Sequence, residues 1–326
     1  MGRYVRTQEI SHPVGERGSV VVRVTDAELQ VKGVAGSEAR VRAIFEIRAD
    51  SDEEADAVFA HVQLEVERGD GLLDVHEPGQ TTGGLEAIIG RLFRGRRGQV
   101  DLAVEAEVPH GCNLRVDTVS GDLTAAALDG AQHYGTVSGD LLLTDVAGSI
   151  TSNAVSGDAS IRARDTLSVH TNAVSGDASV IAPELRGVRC NSVSGDVELE
   201  GRFAAGSDHR IDTVSGDLRI GLIGGATIEV RGLSTDVRSS LPHRVEGRLD
   251  RRRLIVGDGT ARIVFSSMSG DVLVGPAQRT TPATQRPPAP GAATSSVDLE
   301  VLRALERGEI DVEEAGRRLA GGPSDA

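Results

Sequence analysis

Two columns of polar side chains hold most of the chemistry this sequence could carry. The tetrapeptide VSGD recurs at Val119, Val137, Val155, Val174, Val193 and Val214, at intervals of 18, 18, 19, 19 and 21 residues, and degenerate copies begin at Leu233 (LSTD) and Met268 (MSGD). The repeat aligns Ser120, Ser138, Ser156, Ser175, Ser194, Ser215, Ser234 and Ser269 in one column. Three residues past the first motif position come Asp122, Asp140, Asp158, Asp177, Asp196, Asp217, Asp236 and Asp271. On stacked turns neighbouring aspartates would lie about 5 Å apart, the carboxylate separation of a retaining glycosidase. Any stacked ladder gives that spacing, however, and pockets need groups that converge rather than groups in a line. A sugar groove would also want aromatic platforms, and the chain has two Tyr and no Trp. A solenoid carbohydrate-active enzyme is therefore the weaker reading, and no residue is assigned a catalytic role.

Calcium would relieve the repulsion between stacked carboxylates. It wants roughly 6–8 oxygens, and the glycine-rich calcium-binding nonapeptide of toxin repeats is absent from the sequence. The simpler expectation is that each Asp, just after a corner glycine, accepts backbone N–H bonds in an Asx-type turn, with Ser doing the same. A further column, Asp117, Asn153, Asn172, Asn191 and Asp212, suits an outward amide and carboxylate ladder. His133 and His170 share a column but sit two turns, roughly 10 Å, apart, which makes no metal site. No P-loop, HExxH or GxSxG is present, and the sequence calls for no cofactor or metal.

Short strands must position these columns. Ahead of the first motif Leu114, Val116 and Thr118 alternate with polar residues; after it the position four on holds Leu123, Leu141, Ala159, Ala178, Val197, Leu218, Val237 and Val272. Alternation with one apolar face marks a half-buried strand, so each turn contributes two. The parity of the apolar positions switches between Thr118 and Val119, which calls for a bend there, and the glycine that follows suits a positive-φ corner. Repeats of this size must stack to bury an apolar face. The expected fold is all-β, a parallel β-solenoid with turns of about 19 residues rising ~4.8 Å each. The 35 residues between Leu233 and Met268 suit two turns, the middle one having lost its signature. Stacked small aliphatics would also explain 40 Gly and only seven aromatics in 326 residues.

Residues 1–77 read as an N-terminal β-rich cap and first turns, with Ser51 and Glu54 as a capping box ahead of Ala55, Val58, Phe59 and Val62 at helical spacing. Residues 78–99 are an insertion in which Leu85, Ile88, Ile89, Leu92 and Phe93 could share a helical face beside Arg91, Arg94, Arg96 and Arg97. Ile88, Ile89, Leu92, Phe93, Arg94, Arg96 and Arg97 are the candidates for weak peripheral membrane contact. Residues 100–275 form the VSGD solenoid, 276–296 a Pro/Thr/Ala-rich linker, and 297–321 a helical hairpin that would mediate self-association. Arg238, Arg244, Arg248 and Arg251 to Arg253 form a local basic patch, read as a solvated face that protects a sheet edge.

The formal charge of −14 argues against nucleic acid as a partner. With no basic and apolar leader and no run near the ~18 apolar residues of a membrane span, the expected location is cytoplasmic, with membrane-peripheral contact as the variant. The turns DTVSGDL, GTVSGDL, NAVSGDA and NSVSGDV, the lead-in VDLAVEAEVPHGCNLRV and the closing GDGTARIVFSSMSGDVLV resemble the bacterial domain-of-unknown-function family of β-strand-repeat "putative adhesins". The tail is similar to the SHOCT-like helical hairpin. The resemblance covers roughly residues 10–275 and implies a β-solenoid, a link to the cell-envelope stress response and no catalytic residues. The resulting expectation is a non-enzymatic scaffold whose Ser120, Asp122, Ser138, Asp140, Ser156, Asp158, Ser175, Asp177, Ser194, Asp196, Ser215, Asp217, Ser269 and Asp271 face protein partners. A bactofilin-like filament is the alternative.

Overall fold

The computed structural model describes residues 2–78, 100–248 and 251–277. The insertion and the tail, with the candidate membrane-contact residues from Ile88 to Arg97 and the 297–321 hairpin, lie outside the described residues.

The fold is all-β with one helix among the described residues. Two parallel ladders run through the repeats. The first takes β2 (Ser19–Arg23), β8 (Asn113–Asp117), β10 (Ala131–Thr136), and the second halves of β11 (Leu141–Ala154), β12 (Ala159–Ala173) and β13 (Ala178–Ser194). It continues through β15 (His209–Ser215) to β21 (Ala261–Ser269) and β17 (Ala226–Ser234). The second takes β3 (Glu28–Val34), β9 (Leu123–Ala126), the first halves of β11, β12 and β13, then β14 (Val197–Phe203) and β16 (Leu218–Leu222). It ends in β22 (Val272–Pro276) and β18 (Val237–Ser239). Each turn thus adds one rung to each ladder, as the alternation requires. The N-terminal residues do more than cap, because β2 and β3 form a complete first turn.

The sheet as a whole is mixed rather than purely parallel. At the N-terminal end β4 (Glu38–Ala49) joins β7 (Val100–Pro109) to β1 (Gly2–Pro13) with antiparallel pairing on both sides. β5 (Glu65–Gly69) and β6 (Leu72–His76) form a hairpin beside β2. Between them α1 (Asp52–Val62) starts at Ser51, whose hydroxyl accepts the Glu54 N–H, while the Glu54 carboxylate reaches back to the Asp50 amide. Ala55 is buried, and Phe59 meets Phe45 edge-on with centroids 5.3 Å apart. The core is aliphatic. Of its largest fully buried side chains only Phe45 and Phe265 are aromatic; the others are leucines and isoleucines from successive turns.

The C-terminal end departs from the expected order. Between Leu233 and Met268 there is no lost turn but an antiparallel hairpin, β19 (His243–Arg248) and β20 (Arg251–Val256), laid against β17. The chain then returns, and β21 and β22 insert between the β15/β16 turn and the β17/β18 turn. The corner residues give the reason. The motif glycines Gly121, Gly139, Gly157, Gly176, Gly195, Gly216 and Gly270 all have φ between +104° and +157°. A Cβ at Gly139, Gly157, Gly176, Gly195, Gly216 or Gly270 would lie 2.1–2.3 Å from the carbonyl oxygen of the corner glycine one turn below. Only glycine fits such a stack. The LSTD turn carries Thr235 at this position and stacks last, on the Gly270 turn, where no later corner has to seat on it, whereas the glycine of MSGD fits the position between.

Candidate interaction surface

The aspartate column is a hydrogen-bonded ladder. The backbone N–H of Asp140 donates to Oδ1 of Asp122 at 2.9 Å, and the same bond links Asp158 to Asp140, Asp177 to Asp158, Asp196 to Asp177 and Asp217 to Asp196 at 2.8–2.9 Å. It continues from the Asp271 amide to Asp217 at 2.7 Å and from the Asp236 amide to Asp271 at 3.0 Å. Each carboxylate therefore accepts from the turn above, not from its own turn as an Asx turn would. A charge-assisted bond of this kind contributes about 1.5–3 kcal/mol, comparable with the repulsion of exposed charges ~5 Å apart. Asp236 has no turn above it, and Arg238 (3.6 Å) and Arg252 (3.8 Å) stand at its carboxylate instead. This places part of the expected basic patch: Arg238 and Arg252 terminate the ladder, and Arg253 joins Arg262 and Arg231 around the buried Glu229.

The serines do not accept in Asx fashion either. Ser156 and Ser175 donate their hydroxyls to the carbonyls of Val137 and Val155 one turn below, at 3.3 and 3.5 Å. The corner is closed from the other side, where the hydroxyls of Thr118, Thr136, Ser192, Thr213 and Ser267 donate to the carbonyl of the motif serine two residues on, at 2.9–3.2 Å. The amide column is a ladder as expected: Asn172 donates to Asn153 and Asn191 to Asn172, both at 2.8 Å. Its outer members Asp117 and Asp212 pair with Arg115 and Arg210.

The first motif position behaves differently from its expected inward parity. Val119, in the first VSGD turn, is buried, but Val155, Val174, Val193 and Val214 are 43–50% exposed and Met268 59%. Val137 is half-buried. The strands run on through this residue, β13 as far as Ser194, β15 to Ser215 and β21 to Ser269. The bend falls at the glycine, so alternation carries the valine outward. The result is an apolar ridge, one side chain per turn, between the amide column and the aspartate ladder.

A family model described as Toastrack DUF4097 matches residues 14–275. The chain belongs to that family. No curated protein matches it. Among solved structures it is similar to a "putative adhesin" from Bacteroides fragilis, with 11% identity over 83% of this chain and 97% of that one and a TM-score of 0.38. A "putative cell adhesion protein" from Clostridium sporogenes shows 10% identity over 83% and 100%, TM-score 0.25. A "putative lipid binding protein" from Parabacteroides distasonis shows 10% identity over 83% and 96%, TM-score 0.24.

Elsewhere on this family member the chemistry is structural. Burial pushes the Cys112 thiol up to about 11 and the Cys190 thiol up to about 12, far from thiolate reactivity at neutral pH. His76 is buried between Glu65 (3.3 Å) and Asp74 (3.4 Å), and Asp74 also pairs with Arg23, which ties the β5/β6 hairpin to β2. Among the described residues no group of three or more His, Cys, Asp or Glu is placed to hold a metal ion, and no helix is long and apolar enough to cross a membrane. A concavity of about 890 Å³ lies on the outer face of β1, β4, β7, β3 and β9, where Glu9, Arg42, Glu105, Lys32, Arg40 and Glu107 stand in open rows across the sheet.

Proposed function

We propose that the chain is a non-enzymatic interaction scaffold, adhesin-like in that it presents a repetitive face to proteins, and that it acts in the bacterial envelope stress response. One observation carries this reading: the exposed apolar ridge runs beside an aspartate ladder whose Oδ1 atoms are engaged by backbone amides. Carboxylates committed to backbone bonds in a line suit rigidity, while the ridge exposes apolar surface that monomeric proteins keep scarce. A bounded scaffold suits the ends better than a filament does. The last turn carries an antiparallel hairpin on one ladder and a three-residue strand on the other, and neither offers a rung for another turn in register.

The test is capture of partners from native cells by the full chain and by a variant with Val155, Val174 and Val193 all changed to Asn. Far-UV circular dichroism and unfolding should be nearly unchanged in the variant, and the captured proteins should be lost. Equal capture by both proteins would remove the ridge from the function. Asp158→Asn keeps an oxygen acceptor and should lower stability by ~1 kcal/mol or less, with capture intact.

A further inference from the structure

We propose that the apolar ridge is a self-association surface, on which a second copy of this chain docks in parallel about a two-fold axis running along the ridge. The inference rests on the scaffold reading above and names one partner for that surface.

Period and charge select this occupant. The ridge consists of Val137, Val155, Val174, Val193, Val214 and Met268, spaced by the strand separation of ~4.8 Å. An α-helix laid along it repeats every ~5.4 Å and falls out of step by about 3 Å over the five intervals. Another solenoid of the same chain has the same period and stays in step along the whole length. Two arrangements can appose the ridges. A two-fold axis across the ridge would set the copies antiparallel and put each aspartate ladder against the other, like charge facing like charge along its whole length. An axis along the ridge exchanges the two flanks. The ladder from Asp140 to Asp271 then faces the partner's other flank, where Asn153, Asn172 and Asn191 offer amide donors and where the acids Asp208 and Asp212 are neutralised by Arg189 and Arg210. In that arrangement each ridge residue meets its own counterpart, Val155 against Val155 and Val214 against Val214.

The contact is small. Five steps of ~4.8 Å by roughly 12 Å of width cover about 300 Å² per copy, against ~800 Å² in a standard permanent interface. Association should therefore be reversible, with a Kd of about 10–100 µM.

Variants of the full chain with one added surface cysteine, Val155→Cys or Val214→Cys, beside the buried Cys112 and Cys190, oxidised alone and as a mixture at 100–200 µM on the order of the expected Kd, test this. Cβ atoms of facing residues across the axis come within disulfide range. Each variant alone should give disulfide-linked dimers, the mixture should give like-with-like products only, and sedimentation of the unmodified chain should show a concentration-dependent dimer. Cross-links only between Val155→Cys and Val214→Cys would mean antiparallel packing and overturn the proposal. A monomer at all concentrations with no cross-links would overturn it too. If capture from cells still depends on the ridge in that case, the scaffold reading stands and its partner is another protein.

Discussion

The central turns and the C-terminal turns use the same strand pattern but solve different problems. From Val137 to Gly216 each turn seats on the one before it in chain order, with a glycine at every corner and an aspartate bonded to the turn above. From Ala226 to Pro276 the chain order is broken, and the later repeat lies inside the earlier one. The difference comes down to one column. Where the corner is glycine a turn can be followed and preceded by others; where it is Thr235 the stack stops, and the remaining edge is closed by the β19/β20 hairpin. A repeat protein needs ends that do not template further pairing, and here the last stacked turn is the one whose corner lacks the glycine.

The largest predicted effect tests this column directly. Gly176→Ala in the regular region and Gly270→Ala in the inserted turn each drive a Cβ to within 2.2 and 2.1 Å of a carbonyl oxygen on a backbone held from both sides. Each should lose about 3 kcal/mol or more in chemical denaturation. Gly206 has φ +73° but no atom within 4 Å of its would-be Cβ, so Gly206→Ala should cost only ~1 kcal/mol. If Gly270→Ala behaved like Gly206→Ala, the corner column would not be what orders the last two turns.

A smaller effect separates the two regions by how they hold charge. In the centre each carboxylate is satisfied by one backbone amide. At the C-terminal end Glu229, only 7% exposed, gathers Arg253, Arg262 and Arg231 at 3.1, 3.0 and 3.6 Å, and hydrogen bonding to Arg262 holds its carboxyl below the usual carboxylate range. Because the folded-state value is depressed, this stabilisation is present above the unfolded carboxyl range and is lost as pH falls through the folded value. Glu229→Gln leaves three guanidinium groups without their shared anion and should cost about 1–3 kcal/mol at pH 7. The loss should appear in hydrogen exchange as faster opening of β17, β20 and β21 with the central turns unchanged. Uniform loss across all turns would mean that the end is not a separate unit of stability.

The stacked strands, the corner glycines, the capping box and the amide ladder were legible in the sequence because each follows from local spacing. Three features were not. The insertion of β21 between β15 and β17 is a long-range choice, and its only trace is Thr235 in place of glycine. The aspartates' partners are not legible because an Asx turn and an inter-turn bond demand the same residue at the same place, and only the register between turns tells them apart. The valine ridge is hidden because parity alone puts the bend between Thr118 and Val119, ahead of Gly121; with the bend at the glycine, every motif Val from Val137 onward turns outward. The spacing of Ser-Gly after the valine was the available signal, since a strand bends where φ becomes positive and not before.

The smallest predicted effect sits where the two regions meet. His209 occupies the inward column between Val188 of the regular turns and Ile263 of the inserted one. It is fully buried, edge-on to Phe203, and its Nε2 lies 3.1 Å from the Ala204 carbonyl, so Nε2 carries the proton. Its Nδ1 then has no partner among the described residues, and a second proton would sit on a buried N–H with nothing to accept it. Burial accordingly pushes the imidazole below its ordinary value, against a weaker opposing pull from the Ala204 carbonyl and Asp208. A histidine depressed in the folded state leaves the protein fully stable above the unfolded value of about 6.5 and weakens it progressively as pH falls below that. Between pH 7.5 and 5.5 the melting temperature of the native chain should therefore fall by more than that of His209→Leu, by on the order of 2 °C. An equal fall in both proteins would place the acid sensitivity elsewhere, and the junction between the two regions would then be indifferent to charge.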